Sequence, residues 1–427
     1  MTQTAVSPPN PTTTPMTPVK AGERIQIIDS LRGFALLGIL LVNMALFINP
    51  IYKVLFPLPP DTPLMDQVVS WLIRLLAEGK FYPLFSLLFG LGFAIQFGRA
   101  QERNRRIVPL YMRRMFFLLL IGAAHAFLVW TGDILILYAL LGFLLILFHK
   151  ARPRTLLIWI GLIATGYFLL LTLGVAAIEL SRLEPTAAAV IDRNIAEQEA
   201  FFREELAQAT AVYSQGSYME VVNQRVREYV TFVSFGAVGL LPSVFVMFLI
   251  GLYLGKRRVF FEIEENLSFF RKLTWWGLAI GLPANLIYAS LMATSLSQLD
   301  FNLPVYVATV GQLFGGPALC LFYVGALTLL SRHQPWTDRL QVLAPVGRMA
   351  LTNYLMQSII CTFIFYGYGL GLLGQIGAAA GLLLTLLIFG LQIPFSHWWM
   401  ARFRYGPFEW LWRSLTYMRP QPMARTT

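Results

Sequence analysis

Long, nearly uninterrupted runs of apolar residues recur along this 427-residue chain. A helix needs about 20 predominantly apolar residues to cross the hydrocarbon core of a bilayer, where every backbone polar group must be bonded internally. Runs that approach this length lie at 31–49, 82–98, 115–131, 134–149, 155–178, 231–254, 273–293, 305–330, 350–368 and 373–397. The sequence therefore predicts an all-α, polytopic integral membrane protein with about ten spanning helices.

The distribution of basic residues predicts the orientation of these helices. Most of the 33 Lys and Arg residues fall in segments that are cytoplasmic if the N-terminus is inside, such as 99–114, 256–272 and 402–425. Cytoplasmic loops of membrane proteins carry an excess of Lys and Arg. We therefore expect both termini in the cytoplasm. The net charge of +11 then indicates topology and contact with membrane lipids, with no nucleic-acid partner.

The chain divides into five parts by composition. These are a Thr- and Pro-rich leader that we expect to be disordered (1–23), a first membrane half of five spans (24–179) with an interfacial amphipathic helix (64–78), an external helical insert (180–230), a second membrane half of five spans (231–399), and a cytoplasmic tail (400–427). The insert is interpreted as a small helical hairpin that either gates a substrate or only covers the bundle.

His125 is a titratable residue inside an apolar run. It follows Arg114 by eleven residues and precedes Asp133 by eight, or about 16 Å and about 12 Å along a helix. We therefore expect His125 near the middle of the membrane, among small residues that let another helix or a ligand approach. An imidazole exchanges a proton near neutral pH, which suits a general base. A histidine that only bonds across helices fits the sequence equally well.

Asp133 lies in a tight hairpin between two predicted spans. At the rise of a helix, we expect no direct contact between Asp133 and His125. Because the letters TGD directly precede an apolar run and Asp is a favoured helix cap, one interpretation is structural. The other is that Asp133 binds an acceptor substrate from outside.

Polar residues near other predicted helix ends offer further candidates. Asp29 and Arg32 are three residues apart and can pair on one helical face. Asn353 and Gln357 are four apart and form a polar stripe, which either bonds helices together or lines a channel. We find no glycine-rich phosphate loop, no metal-ligand spacing and no GxSxG motif.

Four sequence blocks together resemble the YeiB-like family of bacterial membrane proteins. They are DSLRGFALLGILLVNM, HAFLVWTGDILILYALLG, GRMALTNYLMQS and FRYGPFEWLWRSLTY, spread from residue 29 to residue 417. That family, long labelled a domain of unknown function, resembles a branch of the transmembrane acyltransferase superfamily. The superfamily includes the lysosomal heparan glucosaminide acetyltransferase and the bacterial polysaccharide O-acyltransferases. The resemblance implies a multi-pass protein of the bacterial cytoplasmic membrane.

The resemblance also implies an activity. Such proteins take an acyl group, here expected to be acetyl, from cytoplasmic acyl-CoA (acetyl-CoA), without a metal, and deliver it to an acceptor on the opposite side. The acceptor is a sugar, a lipid or a small metabolite. The catalytic candidates are His125, as general base or transient acyl carrier, and Asp133. The residues implied for the CoA phosphates are Arg32, Arg113, Arg114 and Arg348, and those along the tunnel are Asn43, Asn353 and Gln357.

One departure from the superfamily pattern concerns the first span. The polysaccharide O-acyltransferases carry an Arg followed eleven residues later by a His, whereas this chain has Arg32 followed by Asn43. An amide cannot act as a general base. A small-molecule transporter or exporter, and a non-catalytic lipid- or quinone-binding protein, therefore stay as alternatives. The absence of a convincing repeat between the halves disfavours the transporter. The sequence leaves a homodimer open.

Overall fold

The structure is a computed structural model that describes residues 25–235, 237–293 and 297–425. The leader predicted at 1–23 lies outside these ranges. The helices are α1 (Gln26–Ile48), α2 (Leu64–Leu76), α3 (Phe81–Glu102), α4 (Val108–Ala124), α5 (Leu135–Leu145), α6 (Pro153–Ser181), α7 (Pro185–Gln215), α8 (Tyr218–Phe235), α9 (Ala237–Lys256), α10 (Leu267–Leu291), α11 (Leu303–Leu330), α12 (Trp336–Gln341), α13 (Ala344–Arg348), α14 (Ala350–Phe365), α15 (Ala378–Arg402) and α16 (Pro407–Tyr417).

Seven helical stretches of the described chain are long and apolar enough to cross a membrane. They are Gln26–Ile48, Leu64–Glu102, Val108–Val129, Pro153–Ser181, Gly239–Lys256, Leu303–Leu330 and Ala378–Arg402. Two shorter apolar helices, Leu135–Phe148 and Ala350–Phe365, accompany them. The structure therefore confirms the predicted all-α architecture with several helices that could span a membrane.

The contact between α3 and α9 depends on glycine. A Cβ atom at Gly90 would lie 2.0 Å from the carbonyl oxygen of Phe248, and one at Gly251 would lie 2.0 Å from that of Leu87. Only glycine lets two helix backbones come this close, and small residues at such contacts are a common means of helix association in membranes. Because α3 belongs to the first predicted half and α9 to the second, the two halves share this interface.

A second close approach joins α13 to the beginning of α1. A Cβ atom at Gly347 would lie 1.9 Å from the carbonyl oxygen of Asp29, and one at Gly33 would lie 2.3 Å from that of Leu343. The short helix α13 therefore lies against the first turns of α1. This contact brings Arg348, the last residue of α13, to the same end of the bundle as Arg32.

The segment predicted as an external hairpin consists of α7 and the first part of α8, and α7 alone has 31 residues. The Tyr213 hydroxyl of α7 donates a hydrogen bond of 2.7 Å to the Glu228 carboxylate of α8. Both side chains are buried. Burial raises the pKa of Glu228 to about 7, although the hydrogen bond from Tyr213 acts in the opposite direction. The two helices are therefore joined by a buried polar contact.

The α3–α9 contact generates a stability prediction. Replacement of Gly251 by Ala places a methyl group against the Leu87 carbonyl oxygen, so we expect a loss of about 1–3 kcal/mol. The matched control is Gly161→Ala in α6, where a Cβ atom meets nothing within 4 Å. The thermal unfolding midpoint of purified protein in detergent measures both changes. Equal unfolding midpoints for the two variants would show that the close contact between α3 and α9 does not contribute to stability.

Candidate active site

The segment that carries His125 is a turn of π-helix at the end of α4. It spans His125–Val129, and the Trp130 amide donates a hydrogen bond of 2.8 Å to the His125 carbonyl oxygen. Single π-helical turns inside or at the end of α-helices are frequent at functional sites. After this turn the chain reverses direction through residues 130–134 and enters α5.

This reversal brings Asp133 back to His125. The Nδ1 atom of His125 lies 2.8 Å from the Oδ1 atom of Asp133. The expectation that the two residues are not in contact was wrong, because it assumed the rise of a continuous helix beyond Val129. Asp133 also accepts a hydrogen bond of 2.8 Å from the Ile136 amide through Oδ2, so the predicted cap at the start of α5 is confirmed.

His125 lies nearer to one end of its helical stretch than the sequence predicted. The apolar helical stretch runs from Val108 to Val129, and its start precedes the predicted one by seven residues, with Pro109 in the first turn. At 1.5 Å per residue, His125 is about 26 Å from the start and about 6 Å from the end. The longer first part of the helix therefore places His125 close to the π-helical end.

The His125–Asp133 pair is almost completely buried, with side-chain exposures of 1% and 0%. One oxygen of the Asp133 carboxylate contacts the imidazole, and the other accepts a hydrogen bond from the Ile136 amide. These two contacts fix the position of the carboxylate. The Nε2 atom of His125 has no hydrogen-bond partner among the described residues. A carboxylate on Nδ1 favours the tautomer in which Nε2 accepts a proton. The pair is therefore arranged as an oriented base.

The helix α8 contacts the same π-helical turn. Arg225 is fully buried, and its Nη1 atom donates a hydrogen bond of 2.7 Å to the Leu128 carbonyl oxygen. The Tyr218 hydroxyl donates to the same oxygen, also at 2.7 Å. The Nη2 atom of Arg225 donates to the Tyr368 hydroxyl at 3.0 Å. The insert therefore bonds directly to the turn that begins with His125.

A cavity of about 370 Å³ lies between α1, α3, α4, α5, α14 and α16. Its inner wall is mostly apolar and includes Leu36, Phe85, Phe89 and Leu118. Among the described residues, its charged lining consists of six arginines and two carboxylates: Arg32, Arg99, Arg103, Arg114, Arg348, Arg413, Asp29 and Glu409. The cavity therefore combines an apolar interior with an excess of positive charge, which suits a ligand that carries both an apolar part and anionic groups.

Contacts within the wall hold two of these arginines in position. Arg32 donates a hydrogen bond of 2.9 Å to Asp29, which confirms the predicted pair. The Arg114 guanidinium donates to Gln96 at 3.1 Å and stacks over the Trp412 ring at 4.2 Å from its centre. The Trp412 indole N–H in turn donates to the Arg114 carbonyl oxygen at 2.9 Å. Both guanidinium groups are thereby pre-positioned for an anion.

Glu409 is a wall residue to which the sequence analysis assigned no role. Its carboxylate accepts hydrogen bonds from the amides of Leu351 and Thr352 at 2.6 and 3.0 Å, so it caps α14, which has no cap of its own. Burial raises the pKa of Glu409, while these hydrogen bonds act in the opposite direction. Glu409, Trp412 and Arg413 lie in the FRYGPFEWLWRSLTY block, which is one of the four blocks that resemble the YeiB-like family. That resemblance was the one sequence feature that could have indicated this part of the wall.

Four predicted ligand-binding residues lie outside the cavity wall, namely Arg113, Asn43, Asn353 and Gln357. The last two face α15. Asn353 donates to the Ser396 hydroxyl at 3.1 Å, and Gln357 donates to the Gln392 side chain at 2.8 Å. Both side chains therefore bond α14 to α15, and neither belongs to the wall of this cavity.

Tyr354 separates the cavity from His125. The Tyr354 side chain belongs to the cavity wall, together with Leu118 and Ile134, whereas His125 does not. The rings of Tyr354 and His125 have their centres 5.1 Å apart, and the Tyr354 hydroxyl donates a long hydrogen bond of 3.4 Å to the Gly132 carbonyl oxygen. The apolar end of the cavity therefore stops one aromatic side chain short of the histidine.

Comparisons with known proteins cover nearly the whole chain. The uncharacterized protein YxaH of Bacillus subtilis (strain 168) is 39% identical over 428 residues, which are 96% of this chain and 98% of YxaH. An uncharacterized 39.9 kDa protein of the amylase 3′ region in Bacillus acidopullulyticus is 31% identical over 96% of this chain and 98% of its own length. The uncharacterized protein YeiB of Escherichia coli (strain K12) is 30% identical over 95% and 99%. No solved structure matches the chain.

A family model described as a protein of unknown function (DUF418) matches residues 254–419. This range includes α10–α16 and therefore Arg348, Tyr354 and Glu409 of the cavity wall. The full-length similarity to YxaH and YeiB extends the relationship over α1–α9 as well. The chain belongs to the YeiB-like family of bacterial membrane proteins.

Proposed function

We propose that this chain is a membrane-embedded acyltransferase that moves an acyl group, acetyl in the simplest case, from cytoplasmic acyl-CoA to an acceptor on the other side of the membrane. The observation that carries the proposal is the buried His125–Asp133 pair, with one ring nitrogen on the carboxylate at 2.8 Å and the other without a partner among the described residues. In a bilayer an ionisable pair of this kind is costly, and it is typically retained for function.

The proposed topology has ten spanning helices in the bacterial cytoplasmic membrane, with both termini in the cytoplasm. It orients the site. The start of α1, the end of α3, the start of α4 and all of α16 then face the cytoplasm, and these elements supply most of the arginines of the cavity wall. The π-helical turn faces the opposite side. The cavity therefore extends from the cytoplasmic side towards His125.

The cavity wall matches the chemistry of acyl-CoA. The phosphate groups of acyl-CoA are anionic, and its pantetheine arm ends in an acyl thioester. Arg32, Arg114 and Arg348 offer planar guanidinium groups that form strong, paired hydrogen bonds with phosphate oxygens. The apolar inner wall accommodates the arm and the acyl group. The access route to His125 requires the Tyr354 ring to move aside, since this ring closes the end of the cavity.

The reaction proposed for His125 is general-base catalysis. The Nε2 atom takes the proton from a hydroxyl or amino group of the acceptor as that group attacks the thioester carbonyl carbon. The C–S bond breaks, and the thiolate leaves and recovers the proton from Nε2. Asp133 keeps Nδ1 protonated and stabilises the imidazolium that forms in between. In the carrier variant, Nε2 itself attacks the thioester carbonyl carbon, the C–S bond breaks, and the CoA thiolate leaves. The acceptor group then attacks the acyl carbon, the bond to Nε2 breaks, and the acceptor's proton passes to the thiolate.

The location of the base explains the departure in the first span. The carboxamide of Asn43 cannot take up a proton, and Asn43 is outside the cavity wall. The imidazole that the superfamily mechanism needs is supplied in this proposal by α4 rather than by α1. Asp133 accompanies it only eight residues later in the chain.

Substitution of His125 tests the proposed chemistry. We expect His125→Ala to lower CoA release from labelled acetyl-CoA in proteoliposomes by a factor of about 10²–10⁴, since a positioned base contributes that much. Asp133→Asn should also lower the rate of CoA release. The control is His333→Ala, at an exposed position outside the cavity wall. Full activity in His125→Ala, with folding intact, would exclude the proposed role.

Two neighbouring arginines test the proposed CoA site. Arg114 is in the cavity wall and Arg113 is not, although they carry the same charge on the same helix. Loss of a hydrogen bond to a charged group costs about 1.5–3 kcal/mol, so Arg114→Gln should weaken CoA binding about 10- to 100-fold. Arg113→Gln should leave the Kd unchanged. Isothermal titration of CoA into purified protein measures both, and equal weakening by the two variants would place CoA elsewhere.

A further inference from the structure

A second depression lies beside the cavity, where the ends of α3 and α9 meet two loops. Its volume is about 1490 Å³. Its wall is formed by most of the residues between Ala94 and Pro109, by His149 and Lys150, and by residues at and just after the end of α9. We call it the basic basin. It shares Ile95, Arg99, Ala100 and Ile107 with the wall of the cavity. In the proposed topology it opens at the cytoplasmic surface of the membrane.

The rim of the basic basin is strongly positive. Its basic residues are Arg99, Arg105, Arg106, Lys150, Lys256 and Arg258. Among the described residues, Glu102 is the one carboxylate of the wall, and it lies 3.5 Å from Arg258. The wall therefore carries more basic than acidic residues, which favours an anionic ligand.

Tight helix ends build this rim. Asn104 has φ of +49°, and the Arg105 amide donates to the Ala100 carbonyl oxygen at 2.9 Å. Arg258 has φ of +55°, and the Val259 amide donates to the Leu254 carbonyl oxygen at 3.3 Å. Each helix thus ends in a left-handed residue followed by a backward hydrogen bond, which closes its last turn. Basic residues at and after these turns therefore gather at the two helix ends.

Lys256 connects the remaining wall to α9. Its Nζ atom donates hydrogen bonds to the carbonyl oxygens of His149 and Ala151 at 2.8 and 2.7 Å. These contacts fix the loop between α5 and α6, which carries Lys150, against the end of α9. The basin is therefore a defined concave structure formed by three parts of the chain, and the cytoplasmic preference of basic loops alone does not produce it.

Apolar residues also line the basic basin, and we call them its floor. They include the partly exposed Phe97, the exposed Phe261 and the more deeply buried Ala94 and Leu252. Gly98 has open space beside its backbone, since a Cβ atom there would meet nothing within 4 Å. A free phosphate ion or a soluble nucleotide would contact the rim and leave this floor exposed. A ligand with an anionic head and hydrocarbon tails would cover both.

We propose that the basic basin binds an anionic phospholipid of the cytoplasmic leaflet. Its phosphate lies among the rim residues, and its acyl chains lie on the apolar floor. Basic pockets between membrane helices on the cytoplasmic side are suited to such head groups. Because the basin and the cavity share a wall at Arg99 and Ala100, the bound lipid lies next to the cavity that is proposed for acyl-CoA. The inference is independent of the chemistry at His125.

Native mass spectrometry of the purified full chain tests this site. Phosphatidylglycerol and phosphatidylcholine with identical acyl chains are the probes, and we expect wild-type protein to retain phosphatidylglycerol preferentially. Each basic residue near an anionic membrane surface contributes about fivefold in affinity. The double variant Arg105→Gln, Arg106→Gln should therefore lose about 25-fold of that preference.

The matched control is Arg271→Gln, Lys272→Gln, which removes the same charge from exposed positions outside the basin. It should keep the preference, and both double variants should keep the wild-type unfolding midpoint. Equal retention of the two lipids by wild-type protein, or an equal loss in the control, overturns the proposal. Displacement of phosphatidylglycerol by adenosine 3′,5′-bisphosphate also overturns it in favour of a nucleotide site. His125→Ala should bind lipid normally, which separates this proposal from the proposed acyl transfer.

Discussion

The close approach of α3 and α9 at Gly90 and Gly251 is the contact on which the arrangement of both described sites depends. In a bilayer, lipid tails are as apolar as the helix surfaces, so helices associate through close packing and polar contacts rather than through the hydrophobic effect. The α3 helix supplies one wall of the cavity, and its end, together with that of α9, supplies the rim of the basic basin. The spacing of this helix pair therefore sets the width of the basin, and it fixes the position of the α3 side of the cavity.

Buried polar groups have two different roles in this bundle. The amides of Asn353, Gln357 and Gln392 bond to one another or to neighbouring groups across the contact between α14 and α15, so their side chains contribute to helix packing. The imidazole of His125 has one nitrogen bonded and the other without a described partner. A buried polar atom without a partner is costly, and Nε2 of His125 shares this state with Oδ1 of Asn353. What distinguishes His125 is that its imidazole can exchange a proton, whereas an amide oxygen cannot.

Local sequence patterns were sufficient to predict an all-α membrane architecture and the Asp29–Arg32 pair. Hydropathy indicates the apolar helical stretches, and a spacing of three residues places the two charged side chains on one helical face. The start of α4 was misplaced because Arg113 and Arg114 were interpreted as flanking residues, although they lie within the helix. Successive helical residues point about 100° apart, so only Arg114 reaches the cavity, and charge alone cannot distinguish the two. The His125–Asp133 contact depends on a π-helical turn, and Glu409 caps a helix whose first residues lie 58 positions away. Neither leaves a periodic signal.

The hydrogen bonds from Arg225 and Tyr218 to the Leu128 carbonyl oxygen have a mechanical consequence. This oxygen has two strong donors, both from α8, and it belongs to the same turn as His125. If α8 moved away from the turn, the Leu128 carbonyl oxygen would lose both hydrogen bonds at once. This loss is unfavourable unless water or a hydroxyl group donates in their place. Hydration of one backbone oxygen is thus a condition for moving α8 away from the turn that carries the histidine.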